Sequence, residues 1–316
     1  MLGAAHKPGA VPLRPLALGD MYDAAFRIIR FNPKATVGSA LLVAAVAMAI
    51  PVLVTSLLTL TMELSLDPTD GQASSAELAG LIGSFGSLGL GAILQSIGLI
   101  LVTGMIAHVT AAAAVGRRLS LGEAWRATHG KRWRLIGLAA MLGLLLVALL
   151  GVYALTWVPV VTGGDGSTML VYGLITVPLF LAFLFWFWIR VYYLPVPALM
   201  LEPVGVFGAI GRGFRLTRGQ FWRTFGVALL TVLVAQTAAS MLTLPASLLG
   251  PILTETVSPQ YAVLGLVLTN AFVTVVSAAF TAPFTTAVAS VQYLDQRMRK
   301  EAFDVELMAR AGITRS

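Results

Sequence analysis

Hydrophobic positions fall in long unbroken runs along this chain, not in the alternation of a half-buried strand. Six runs, 36–62, 81–115, 135–160, 169–201, 225–253 and 262–293, reach the roughly 20 residues a helix needs to cross a bilayer core. Inside lipid the backbone must satisfy its own polar groups, which leaves only helices and closed barrels. Barrel strands alternate apolar and polar positions and these runs do not, so each predicts a helix. The expected fold is an all-α polytopic membrane protein with six transmembrane helices.

Between the runs the period changes. Leu18, Met21, Tyr22, Ala25, Ile28 and Ile29 share one helical face, and Asp20, Asp23, Arg27 and Arg30 share the other. Asp23 and Arg27 stand one turn apart and suit an ion pair. Pro33 stops this helix before the membrane turn. Such a helix lies in the headgroup plane with its apolar side down, or docks on the ends of the protein's own spans; the pattern fits both. The returning runs outlast a bilayer. Trp186, Trp188, Tyr192 and Tyr193 surround Arg190 as an interface belt, yet the fourth run continues through Pro195 and Pro197 to Leu201. The second overshoots toward Val115, and the sixth passes Pro283 on its way to Tyr293. Returning helices are therefore expected to project beyond the membrane and to bend at those prolines. Strong tilt is the competing arrangement.

Composition narrows the class. Of 316 residues 58% are hydrophobic and 11% charged, against about a quarter charged in soluble domains. A water-soluble enzyme and a disordered chain are both excluded. Cysteine is absent, and His6, His108 and His129 form no ligand spacing, so neither metal nor cofactor is expected. No short apolar core with a cleavage site follows a basic start, so no cleavable leader is expected.

Charge gives the strongest signal. Lys7, Arg14, Arg27, Arg30 and Lys34 precede the first run. Arg117, Arg118, Arg126, Lys131, Arg132 and Arg134 join the second run to the third. Arg190, Arg212, Arg215, Arg218 and Arg223 lie between the fourth and the fifth, and Arg297, Arg299, Lys300, Arg310 and Arg315 follow the sixth. That accounts for all 21 Lys and Arg. The opposite loops hold Glu63, Asp67, Asp70, Glu77, Asp165 and Glu255. Lys/Arg bias sets orientation, so both termini are expected in the cytoplasm of a bacterial cell, the chain being a multi-pass protein of its inner (plasma) membrane.

The basic segments also look alike. Residues 24–38, AAFRIIRFNPKATVG, align without a gap with 212–226, RGFRLTRGQFWRTFG, and 124–137, AWRATHGKRWRLIG, fit the same frame. Three parallel units are expected, about 18–115, 120–201 and 205–293, each a basic amphipathic helix, a span outward and a span back, with 294–316 as a C-terminal helix or tail. Any juxtamembrane helix on the basic side would share part of this pattern.

Candidate chemistry follows from these placements. Arg27, Arg30, Lys34, Arg126, Arg132, Arg134, Arg212, Arg215, Arg218 and Arg223 would ring one end of the bundle and attract anionic headgroups; the same residues also serve topology alone. Arg190 binds a lipid phosphate, pairs with Glu202, or snorkels as an anchor. Asn270, Thr274, Ser277, Thr281 and Thr285 share one face of the sixth run. With Gln95 and His108 in the second and Gln236 in the fifth they line a polar path, or they bond helix to helix. No Asp, Glu or Lys lies deep in a run, which disfavours ion-coupled transport. Motifs of nucleotide, zinc and serine chemistry are missing, so no enzyme is expected. The basic segments are short and tied to the membrane, so nucleic acid is not expected as a partner.

Segments 13–33, LRPLALGDMYDAAFRIIRFNP, 190–226, RVYYLPVPALMLEPVGVFGAIGRGFRLTRGQFWRTFG, and 293–307, YLDQRMRKEAFDVEL, carry a further pattern. Its fixed points are Pro197-Ala198, Glu202, Gly205, Arg215-Leu216, Gly219 and Phe221-Trp222-Arg223, then Tyr293, Asp295, Arg297, Arg299, Glu301, Phe303 and Asp304. In these positions the chain resembles the bacterial glycerophosphoryl diester phosphodiesterase membrane-domain family. The resemblance implies a multi-span module, fused in some members to a soluble phosphodiesterase barrel. That barrel has no counterpart here, so the resemblance implies a fold and a membrane and brings no activity. The expected function is that of a non-enzymatic integral inner-membrane protein that interacts with lipids or serves as subunit or scaffold of a membrane complex. Anionic lipid headgroups are the expected partners, with other membrane proteins as further candidates. A transporter or lipid flippase with a polar path is the alternative.

Overall fold

Helix α1, Leu18–Phe31, forms where the amphipathic pattern places it. Asp20 in its first turn accepts from the Ala17 backbone N–H at 3.1 Å, and Arg30 stands in its last turn, so both charges suit the helix dipole. Its apolar face is turned onto the protein: Met21, Ala24, Ala25 and Ile28 are fully buried. Tyr22 and Phe26 meet Phe284 at ring-centroid distances of 5.8 and 5.0 Å. Of the two arrangements the sequence allowed, docking is the one adopted. Burial of Met21 and Ile28 stabilises it by about 1.5–3 kcal/mol each.

The structure is a computed structural model and describes residues 9–62, 75–256 and 258–310. Among these there is no strand. A π-helical turn, Lys34–Gly38, leads from α1 into α2, Ser39–Met62, and α3 spans Ser75–Ala114. Short α4, Leu121–Ala127, precedes α5, Arg132–Gly163, and α6, Gly166–Phe187. A second π-helical turn, Trp188–Tyr192, is followed by α7, Pro195–Leu201, and α8, Val206–Thr217. Then come α9, Phe221–Thr256, α10, Pro259–Glu301, and α11, Phe303–Arg310. Six stretches are long and apolar enough to cross a membrane: Lys34–Thr61, Ile82–Ala114, Arg132–Gly163, Gly166–Leu201, Phe221–Leu248 and Tyr261–Glu301. His6, Lys7, Glu63, Asp67, Asp70 and Arg315 lie outside the described residues.

The returning helices end differently from expectation. The break after α6 comes at the π-helical turn and Leu194, ahead of the prolines. Pro195 then starts α7, where a missing N–H breaks no helical bond. Pro283 does not end its helix, and α10 runs on to Glu301, past the expected limit at Tyr293.

Helices α2, α3, α9 and α10 pack together through small residues. A Cβ on Gly91 would lie 2.6 Å from Pro51 Cγ, and one on Gly98 would lie 2.3 Å from Val43 Cγ1. Ala47, Ala228, Ala235, Ala239, Ala271 and Ala278 are buried on these helices. Lipid offers no hydrophobic drive for helix association, so close backbone approach supplies the contact. The α5–α6 pair stands apart. Helix α5 buries only Leu135, Leu138 and Leu142, all near its start, and α6 buries none of its side chains. The two hold each other through aromatic contacts: Tyr153 stacks on Phe180 at 3.9 Å, and Trp157 meets Tyr172 edge-on at 5.1 Å. Gly91→Val is expected to cost about 1–3 kcal/mol by overpacking. Gly89→Val, whose Cβ meets nothing within 4 Å, should change stability by less than about 0.5 kcal/mol. Thermal unfolding in detergent measures both.

Asp165 caps α6. Its carboxylate accepts from the Thr168 hydroxyl at 2.6 Å, the Thr168 backbone N–H at 2.9 Å and the Ser167 hydroxyl at 3.0 Å. These bonds, the Thr168 hydroxyl first, hold its pKa down from 3.8 to about 2. A depressed carboxylate stabilises the fold fully above its ordinary pKa and loses that contribution as pH falls through its folded value. The melting-temperature gap between wild type and Asp165→Asn should therefore be constant above pH 3.8 and close as pH falls to about 2.

Candidate functional site

One end of the helix set collects the charge. The starts of α2, α5 and α9 meet there with the ends of α3, α6 and α10 and with α1, α4, α7, α8 and α11. Every described Lys and Arg belongs to these segments, to the connections and π-helical turns between them, or to the stretch before α1. The core lies here too: Tyr293, Phe284, Leu16, Met21 and Ile28 are among the largest fully buried side chains.

Asp295 on α10 is fully buried and organises the centre. Its carboxylate accepts from Arg223 at 2.5 Å, from Arg299 at 3.0 Å and from the Leu16 backbone N–H at 2.7 Å. Arg223 and Arg299 also donate to the Leu16 carbonyl, at 2.6 and 2.9 Å. The segment before α1 is thereby clipped onto α9 and α10. Beside it Glu202, just after α7, accepts from Arg212 at 2.8 Å, from Arg297 at 3.4 Å and from the Tyr293 hydroxyl. Glu301 binds the same two arginines, Arg212 at 2.5 Å and Arg297 at 3.0 Å. Burial opposes the charge on Arg212, but its bonds to Glu301 and Glu202 outweigh burial and raise its pKa. Gln292 and Gln296 both donate to Thr224, at 3.3 and 3.2 Å.

Cations also close helix ends. Lys131 Nζ donates to the carbonyls of Leu199, Met200 and Glu202 at 3.0, 2.8 and 2.8 Å, which satisfies the last turn of α7. Burial, aided by Arg134 nearby, lowers the pKa of Lys131. Lys300 Nζ does the same for α8, donating to Arg215 and Arg218 carbonyls at 3.0 and 2.6 Å. Arg132 donates to the Trp125 carbonyl at 2.6 Å and the Thr128 hydroxyl at 3.0 Å, at the end of α4.

The arginine ring expected from sequence thus divides. Arg132, Arg212 and Arg223 are engaged inside the protein, and Arg27 pairs with Asp23 at 2.9 Å. Arg30, Lys34, Arg126, Arg134, Arg215 and Arg218 are exposed and make no ion pair with another described residue. Arg190 does not pair with Glu202. It lies 4.9 Å from the Phe214 ring and 5.9 Å from that of Phe221, and it donates to the Phe214 carbonyl at 3.4 Å. The sequence sets Glu202 against Arg190 and carries Asp295 and Glu301 as points of the resemblance, but it does not show that these three acids gather the arginines. Their presence among so many cations is the available signal.

The residues of the expected polar path differ in exposure and in their hydrogen bonds. Asn270 and Gln236 are exposed, and Gln95, His108, Thr274, Ser277 and Thr281 are half-buried. Thr281 donates to the Ser277 carbonyl at 2.8 Å, Thr285 to that of Thr281 at 2.7 Å, and Thr274 to Asn270 Oδ1 at 3.4 Å. Thr285 lines a cavity of about 290 Å³. Among the described residues no His, Asp or Glu cluster could hold a metal ion. No family model matches the chain, and neither a curated protein nor a solved structure does.

Asp295→Ala would leave Arg223 and Arg299 without their buried partner, and its cost is expected to be about 3–5 kcal/mol. Arg134→Gln, at an exposed position, should stay within about 0.5 kcal/mol. Denaturation in detergent separates the two.

Proposed function

We propose that the chain is a non-enzymatic membrane protein of the bacterial inner membrane, with its basic end in the cytoplasm, where it gathers anionic lipids. One observation carries this reading. At aligned positions of α1, α4 and α8 a buried small residue, Ala25, Ala124 or Gly213, is followed by an outward aromatic ring and then an exposed arginine. The rings, Phe26, Trp125 and Phe214, are 45%, 41% and 40% exposed, and the arginines are Arg27, Arg126 and Arg215. Trp133 and Trp222, at aligned starts of α5 and α9, are 84% and 78% exposed. Partly exposed aromatic rings beside exposed arginines suit the headgroup layer. The threefold recurrence of this environment supports three parallel units, each opened by an amphipathic helix. The family resemblance fits the same reading, since Glu202, Arg223 and Asp295 of its pattern hold the basic end together. Transport along α10 is the lesser reading, because the Thr281 and Thr285 hydroxyls bond their own helix.

The test uses arginines that hold nothing else. Arg126→Gln, Arg215→Gln and Arg218→Gln together remove about 1 kcal/mol of attraction each. Phosphatidylglycerol retained on the purified protein, counted by native mass spectrometry, should fall while the melting temperature stays put. Equal retention would remove the lipid role.

A further inference from the structure

Four cations, Arg190, Arg215, Arg218 and Lys300, gather where α8 ends. Arg215 and Arg218 stand one turn apart, and both are exposed. Lys300 comes from α10, and its Nζ donates to the Arg215 and Arg218 carbonyls at 3.0 and 2.6 Å. Arg190 comes from the second π-helical turn and donates to the Phe214 carbonyl at 3.4 Å. The Arg190 and Lys300 heads thus sit on neighbouring carbonyls of one helix turn. Lys300 also lies within electrostatic reach of both Arg190 and Arg218.

Capping explains where two of these groups lie but does not neutralise them. A helix end carries about half an elementary negative charge, and four full positive charges stand against it. The acid beside Lys300 is Glu301. It is already engaged by Arg212 and Arg297, at 2.5 and 3.0 Å. None of the four cations makes an ion pair with a described residue. Like charges held this close repel one another unless an anion stands among them.

The surroundings name the source of that anion. Arg190 belongs to the membrane-crossing stretch Gly166–Leu201, with Trp186, Trp188, Tyr192 and Tyr193 within four residues of it. Trp and Tyr concentrate where a bilayer meets water. Trp186 meets the Phe214 ring at 6.3 Å, and Arg190 lies 4.9 Å from the same ring. The cluster is therefore set against lipid heads, and a lipid phosphate is the anion within reach. One phosphodiester brings a single negative charge and leaves the cluster in excess. A head with two phosphates comes closer to balance, and basic sites between spans on the cytoplasmic side take such heads.

We propose that the end of α8 binds a lipid with two phosphodiesters in one head, of the cardiolipin class. Arg190, Arg218 and Lys300 supply the charge, and Arg215 on the same turn adds to it. The proposal rests on the reading of the basic end as the side that gathers anionic lipid, and gives that end one place and one head.

The purified protein in detergent is offered cardiolipin with two equivalents of phosphatidylglycerol, so that each supplies the same number of phosphates. Native mass spectrometry counts what stays bound. Cardiolipin should be retained in preference. Arg190→Gln and Arg218→Gln should each lower that preference about fivefold, the worth of one basic residue near a membrane surface. Arg126→Gln removes an exposed arginine of α4, outside the cluster, and should leave the preference as it is. The Arg218 side chain is exposed, so Arg218→Gln decides alone if Arg190→Gln does not fold. Equal retention of the two lipids by wild type would overturn the proposal and leave the wider lipid role standing. So would a preference that survives both variants, or one that Arg126→Gln lowers as much. Wild type that keeps neither lipid would remove the proposal together with the reading beneath it.

Discussion

A carboxylate shielded from water holds the basic end together. Asp295 has two arginines and a backbone N–H around it, drawn from α9, α10 and the segment before α1. An ionised carboxylate without these partners would be very costly to bury. With them it fixes where the chain enters α1, and so where α1 lays Met21 and Ile28. Glu202 and Glu301 repeat the device between α7, α8 and α10. The cationic excess that orients a membrane protein is here also a store of partners for a few acids.

Beyond that end the helices obey a different rule. Water no longer drives apolar surfaces together, and contact follows the places where backbones can approach. Gly91 and Gly98 bring α2 and α3 close, and the buried alanines of α9 and α10 extend the packed set. Helix α6 has Leu and Phe where such a face would need Gly or Ala, and it joins α5 through rings, with Phe185 and Trp186 near its end meeting Phe225 of α9 and Phe214 of α8. The molecule is therefore tightly packed where charges meet and open where only hydrocarbon surrounds it.

The spans were legible because length and hydropathy are local properties. The amphipathic face of α1 was legible for the same reason, and Asp23–Arg27 is the pair its spacing suggested. Two kinds of feature were not. The first is pairing across the chain: Arg212 and Arg215 look equivalent in sequence, yet one meets two glutamates and the other is exposed. Their difference is the rotational phase of α8 against α7 and α10, which no window of residues contains. The second is the choice a hydroxyl makes. Helical spacing put Thr281 and Thr285 on one face, but each bonds the carbonyl one turn back, and spacing cannot show that. The π-helical turn at Trp188 was hidden likewise, since prolines nearby offered a simpler place for a break.

The solitary α5–α6 pair has a mechanical corollary. Its buried anchors, Leu135, Leu138 and Leu142, all sit at the charged end. The remainder can lean in or out without disturbing any packed interior. Helices meet a change in bilayer thickness by tilting, and a tilt of this pair would repack few buried side chains. The rest of the bundle is held by glycine contacts and ion pairs, which a tilt there would have to break.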